Sequence, residues 1–206
     1  MVPESLRVLV TDMYGTGNAI AAAQAIDYGT GYGNAATGDL DDLLVSLTPL
    51  RAAQIGVAME SLSGDMHAHV LESTESVLVG SDDIIIAAAQ GDTGLGGVDN
   101  QLENGVRVWS RVDARGASYD PDGNTMGFDE DTYGVTLGAT FINTSEMRVG
   151  VAASYNTVEL YTDTASGATN HMASLYAYGS RTVTPRLTLS GLVGYTKASP
   201  KTDRVA

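Results

Sequence analysis

The chain contains no cysteine. Disulfides, thiolate metal sites and a cysteine nucleophile are therefore excluded. Positive charge is scarce: 11 Lys and Arg stand against 25 Asp and Glu, for a formal net charge of -14. A basic surface for nucleic acid is excluded with it, and no Lys/Arg-rich segment offers itself to anionic lipid. Phe and Trp are rare, 2 and 1 residues against 10 Tyr. Long apolar runs are missing too. The strongest, Ile84-Ile85-Ile86-Ala87-Ala88-Ala89, is far too short for a transmembrane helix, so a membrane would have to be crossed by strands. The opening residues, Met-Val-Pro-Glu-Ser-Leu-Arg, show no basic stretch followed by an apolar one, as a signal peptide would. Glycine is abundant, with 24 residues, which limits helices to short or interrupted ones.

Residues 1–37 hold a short apolar run, Leu6 to Val10, and an expected helix from Asn18 to Asp27 capped by Thr16 or Asn18. A Gly/Asn/Ala loop is expected from Gly29 to Gly38. Over 39–62, Leu40, Leu43, Leu44, Leu47, Leu50, Ala53, Gln54, Val57 and Ala58 recur at helical spacing. Asp39, Asp41 and Asp42 complement the dipole of its first turn, and Thr48-Pro49 breaks or restarts it. The stripe Leu43, Leu47, Leu50, Ala53 reads as ordinary packing, or alternatively as a surface that templates another segment. A further helix is expected from Ser63 or Gly64 to about Val79, then a short one from Ser81-Asp82-Asp83 to about Gln90, with a flexible break over Gly91–Gly97.

From Val106 the period changes to two. Amphipathic strands of about ten residues are expected at 106–115, 133–142, 147–156 and 187–196, with a further one around Leu175-Tyr176. Ten tilted residues span a bilayer core. Tyr133, Val135, Leu137, Phe141, Val149, Val151, Tyr155, Leu187, Leu189, Val193 and Tyr195 mark an apolar face. The opposite face, with Gly134, Gly138, Gly150 and Gly194, offers no bulky core and suits a wet lumen. Connections alternate: long at 118–131, tight at 143–146, long at 162–170, short at 182–185. That is the rhythm of an outer-membrane barrel with long loops outside. A soluble up-and-down barrel would share the alternation with its apolar face inward. Arg107, Arg111 and Arg115 share one face of the first strand; with Arg148 they are expected to face the lumen, as contacts for a pore helix or as solvated wall charges.

Catalytic signatures do not emerge. His67 and His69 point apart on a helix, and His171 stands alone. Asp120, Asp122, Asn124 and Asp131 approach a calcium loop, but Thr125 takes the glycine position and the last acid is not Glu. There is no Gly-x-Ser-x-Gly elbow, and the Gly15–Gly17 and Gly29–Gly33 stretches lack the Lys of a phosphate loop.

Several segments, in order, resemble the autotransporters of type V secretion. Leu62-Ser63-Gly64-Asp65-Met66-His67-Ala68 is similar to their Leu-Ser-Gly-Glu-x-His-Ala signature, and Asn18 to Asp27 to their Asn-x-x-Ala-x-Ala-x-Ala-Leu-Asp segment. Gly38-Asp39-Leu40 through Leu50 and Gln54 match the stretch between. Val108-Trp109, then Asp122-Gly123-Asn124, Gly127-Phe128-Asp129, Asp131-Thr132 and Gly134, Arg148 to Tyr155, and Leu175-Tyr176 resemble the first four strands. The resemblance implies an all-β, up-and-down antiparallel outer-membrane barrel, about five of twelve strands being present, preceded by an α-helical linker. It implies a passenger remnant at 1–37, a linker and pore-helix region at 38–105 and a partial barrel at 106–206. The expected function is a non-enzymatic translocator that anchors an N-terminal passenger and exports it to the cell surface, without cofactor or metal. The alternatives are an adhesin whose barrel is only an anchor, a remnant without transport function, or a soluble β-rich domain. Implied partners are outer-membrane lipid, the chain's own passenger, the barrel-assembly machinery and periplasmic chaperones, with no nucleic acid. With only five strands and no terminal aromatic after Arg204-Val205-Ala206, the chain is expected to be a piece that does not work alone. Some relatives cleave the passenger at an Asn pair in the pore helix; Asn100-Gln101 and Asn104-Gly105 are not that pair.

Overall fold

A computed structural model describes residues 15–30, 38–47, 49–92, 97–162 and 167–203. The Leu6–Val10 run, the expected loop after Thr30, Thr48 and Arg204-Val205-Ala206 lie outside the described residues. Among the described residues four helices come first: α1 (Gly17–Thr30), α2 (Asp39–Leu47), α3 (Ala52–Ser63) and α4 (Asp65–Gln90). Thr16 opens α1, its hydroxyl accepting the Ala19 N–H at 3.3 Å. The helical segment expected over 39–62 is two helices, with Pro49 in the expected break. Gln54 Oε1 accepts the Arg51 N–H at 3.0 Å where the chain restarts. Leu47 is buried with Ala19, Ala23, Ile55 and Met59, and Leu43 and Leu50 pack against this cluster while Ala53 is exposed. The apolar stripe is thus the seam between short helices.

Gly64, at φ 85, ends α3 and lets α4 leave in a new direction. Here the structure corrects the expected break near Gly80, since α4 runs unbroken for 26 residues, about 39 Å at 1.5 Å per residue. Val70, Ser73, Val77, Ser81, Ile84, Ile85 and Ala88 form a continuous buried stripe on both sides of exposed Gly80. Packing along that stripe outweighs the roughly 1 kcal/mol that one interior glycine costs.

The rest of the chain is one antiparallel sheet in sequence order: β1 (Asp99–Gln101), β2 (Arg107–Tyr119), β3 (Phe128–Asn143), β4 (Met147–Tyr161), β5 (Gly167–Thr184) and β6 (Leu187–Asp203). Six strands replace the expected five; β1 is three polar residues, too short to show a period. The five long strands run 13 to 18 residues rather than about ten. The connections shrink accordingly, to 120–127, 144–146, 162–166 and 185–186. Among the described residues the sheet is open, with β1 and β6 at its ends.

Its two faces are opposite in character to those of a soluble sheet. Tyr133, Val135, Leu137, Phe141, Val151, Tyr155, Leu175, Val193 and Tyr195 are exposed. Thr132, Thr136, Thr140, Ser154, Asn156, Asn170, Ser174 and Ser180 are buried. What covers the polar face is α4, which contacts β3, β4, β5 and β6.

Candidate functional site

The helix sits on that face through two apolar contacts with polar ties between and beyond them. Toward its start, Val70 and Val77 pack with Phe128, Val158, Leu160, Ala168 and Met172. Toward its end, Ile84, Ile85, Ala88 and Ala89 pack with Trp109, Ala152, Tyr176 and Tyr178. The bulk-free face expected from the glycines is therefore corrected: bulky rings stand on it, and the glycines are where they fit. A Cβ on Gly138 would lie 2.2 Å from the Trp109 ring, and one on Gly150 would lie 2.4 Å from Tyr178 Cζ. Trp109 Nε1 donates to Tyr178 Oη at 2.9 Å, and that oxygen also meets Thr140 Oγ1 at 2.7 Å, so both buried polar tips are paired.

Polar ties cross between helix and wall. Ser73 Oγ donates to Glu130 Oε2 at 2.6 Å, and Arg115 closes on the other carboxylate oxygen of Glu130. The Glu130 side chain is 1% exposed, so its charge is held by Arg115, Ser73 and Thr132 rather than by water. Asn170 donates to Thr74 at 2.7 Å and Asn156 to Ser81 at 3.4 Å.

At the other extremity of α4, near the 120–127 connection, the His69 ring lies 4.1 Å from Phe128, which stacks on Tyr119 at 4.5 Å. Gly17 and Asn18 donate their N–H groups to the Gly123 and Asn124 carbonyls at 2.9 and 3.0 Å, so the start of α1 is seated on this connection. Glu60 accepts from the Thr16 N–H and hydroxyl, both at 2.8 Å.

The signature residues occupy the α3–α4 corner. Leu62 is exposed; Ser63 Oγ donates to the Glu60 carbonyl at 2.7 Å and accepts the Asp65 N–H at 3.3 Å. Asp65 accepts from Asn18 at 2.8 Å, the His67 N–H donates to the Gly64 carbonyl at 2.9 Å, and Ala68 is exposed. Gly127 passes so close to Tyr119 that a Cβ would meet its carbonyl at 2.7 Å, and Asp129 accepts from Ser118 at 2.6 Å. Gly134 leaves room for Asn156, whose Oδ1 lies 2.2 Å from where a Cβ would be.

Of the four arginines, Arg107, Arg115 and Arg148 reach α4 or the residue that caps it, while Arg111 turns to Asp113 at 2.8 Å on its own strand. His171 lies on the outward face beside Tyr155 and Thr157, away from His67 and His69. Asp122 spends its carboxylate on its own turn, accepting the Asn124 and Thr125 N–H groups at 2.9 Å each. These two bonds, Thr125's first, hold its pKa below the usual carboxylate value. Sequence reasoning missed Glu130, Asn170, Tyr178 and Ser180. The available signal was their spacing, since each takes a position on the non-apolar face of its strand.

The model of the autotransporter β-domain family matches residues 108–206. No curated protein and no solved structure matches the chain. With its polar face around a helix and its apolar face outward, the region 108–206 belongs to the autotransporter β-domain family, outer-membrane translocators of the type V secretion route.

Proposed function

We propose that α4 is the pore helix of this translocator and that the polypeptide preceding it is, or leads from, a passenger exported to the cell surface. The observation that carries the reading is the inverted sheet. Leu137, Val193 and Tyr195 face outward, while Thr136, Asn156 and Ser174 are buried toward the helix. Lipid solvates the first set, and the helix with lumen water serves the second. No described helix is long and apolar enough to cross a membrane. The edge at β6, and the edge of β2 beyond its pairing with β1, need partners when the wall stands in lipid, because an open edge there leaves backbone groups unsatisfied. Barrel-assembly machinery and periplasmic chaperones are the expected helpers, and the domain itself is non-catalytic. The energy of export comes from neither nucleotide nor cofactor.

The test is a full-length gene product with an epitope upstream of α1, followed in fractionated cells. The epitope should cofractionate with outer membranes and be shaved by protease added to intact cells. Recovery of a fully soluble, protease-protected product overturns the reading.

A further inference from the structure

The last turn of α4 presents carbonyl groups that a helix cannot satisfy by itself. Gly91, at φ 96, turns the chain so that its own N–H donates to the Ala88 carbonyl at 3.0 Å and the Asp92 N–H to the Ala87 carbonyl at 2.8 Å. The next three carbonyls each go to a different strand of the wall. Ser180 Oγ on β5 donates to Ala89 O at 2.5 Å. Arg148 Nη1 on β4 donates to Gln90 O at 3.1 Å. Arg107 Nη1 on β2 donates to Gly91 O at 2.9 Å.

Both guanidinium groups are themselves aimed from behind. Arg107 is bonded to the Asp99 carboxylate of β1, and Arg148 Nε donates to Asn143 Oδ1 of β3 at 3.3 Å. Five strands thus converge on one helix end. The two cations also sit where the helix macrodipole is negative. The fit is close on the helix side: a Cβ on Gly91 would lie 2.7 Å from Arg148 Cζ.

From this we infer that Arg107, Arg148 and Ser180 form a docking cradle that fixes the depth of α4 in the pore and holds the pore shut once the chain has come to rest. The inference rests on the translocator reading. The three residues are positioning residues: they recognise main-chain carbonyls at the end of a helix. The cradle is occupied at one helix depth only, because a shift by a residue moves every carbonyl off its donor.

The experiment is single-channel recording of the purified full-length protein in planar bilayers. The variants are Arg107→Ala, Arg148→Ala, the double variant, Arg148→Lys and Gly91→Ala. Gly91→Ala disturbs the cradle from the helix side and leaves the wall sequence intact. Heat-modifiable electrophoretic mobility reports folding of each variant independently of conductance. The open-time fraction should rise at least about tenfold in Arg148→Ala and Gly91→Ala, since one charge-assisted hydrogen bond is worth that much in an equilibrium. The double variant should rise further, and Arg148→Lys should rise less than Arg148→Ala. Folded Gly91→Ala and single-arginine variants that stay as closed as the parent overturn the cradle. A parent that neither inserts into bilayers nor shows heat-modifiable mobility overturns the translocator reading instead.

Discussion

The position of the bilayer can be worked out from the register, and it yields a prediction about depth. Tyr133 of β3, Thr157 of β4, His171 of β5 and Ser199 of β6 are successive partners in one row across the sheet. The row at which the outward face turns from apolar to polar drops from β3 to β4 and again to β6. The last apolar outward residue is Tyr133 on β3, before Asp131; Tyr155 on β4, before Thr157; and Tyr195 on β6, before Lys197. Ala114 on β2 shares Tyr133's row, whereas Tyr195 lies four residues (199 − 195) below it. At about 3.3 Å per residue the boundary drops about 13 Å over three or four strand spacings of about 4.8 Å. The slope is then between about 35° and 43°, the tilt of strands in a membrane barrel. A line of constant depth therefore runs through Tyr133, Tyr155 and Tyr195, and the hydrogen-bonded row does not. Along that row from β3 to β6, about 14 Å of sheet, depth changes by about 8 Å. The chain has no cysteine, so single Cys substitutions at 133, 155, 195, 171 and 199 can be spin-labelled in the reconstituted full-length protein. Oxygen and nickel-chelate accessibilities should place 133, 155 and 195 at one depth, and 199 about 8 Å farther toward water than 133. Equal depth for 133, 171 and 199 would refute the tilt and with it the lipid-facing assignment of this surface.

Other consequences follow from the buried face. Gly138→Ala drives a Cβ into the Trp109 ring, and overpacking of this kind costs about 1–3 kcal/mol. Because Trp109 is the chain's one Trp, its emission should shift red and its unfolding midpoint fall together in denaturant titrations. Glu130→Ala leaves Ser73 and Arg115 without their acceptor; Arg115→Ala leaves Glu130 buried and charged, which is the costlier loss, about 3–5 kcal/mol. Chemical denaturation should rank the variants in that order, with Glu130→Gln closer to the parent than Arg115→Ala. The Asp122 pKa is depressed in the folded loop, so its contribution is complete above the usual value of 3.8 and is lost as pH falls through the lower folded value. Amide exchange at Asn124 and Thr125 should accelerate in that acid window, and Asp122→Ala should show the fast rate at every pH.

The slanted band also explains what the residues alone could reveal about the strands. The expected spans 133–142, 147–156 and 187–196 are the apolar stretches of strands that run 128–143, 147–161 and 187–203. An apolar outward face is written only where it meets lipid. Above Tyr133, Tyr155 and Tyr195 the outward face continues through Asp131, Glu159 and Lys201, while Phe128, Val158, Leu160 and Met172 turn inward to α4. Apolar and polar residues exchange faces there, so the outward apolar stripe ends although the alternation and the backbone pairing do not. The residues alone therefore lead one to expect loops at these tops, and β1, three polar residues, is too short to show a period.

The site was legible in its parts but not in its depth. The four arginines and the signature corner at Gly64 stand out as residue types and spacing, yet a strand face gives no account of which turn of a helix it will meet. Glu130 illustrates the gap. Beside Asp129 and Asp131 it reads as one of three solvated acids, and only the packing of β2 and α4 against β3 brings it to Arg115, diagonal to it in the register, and to Ser73. Gly80 marks the converse error, where a local rule predicted a break that the stripe from Val77 to Ile84 overrides. Helix and wall therefore specify one another. Ser73, Thr74 and Ser81 of α4 meet Glu130, Asn170 and Asn156 at the same depth at which its terminal carbonyls meet Arg107, Arg148 and Ser180.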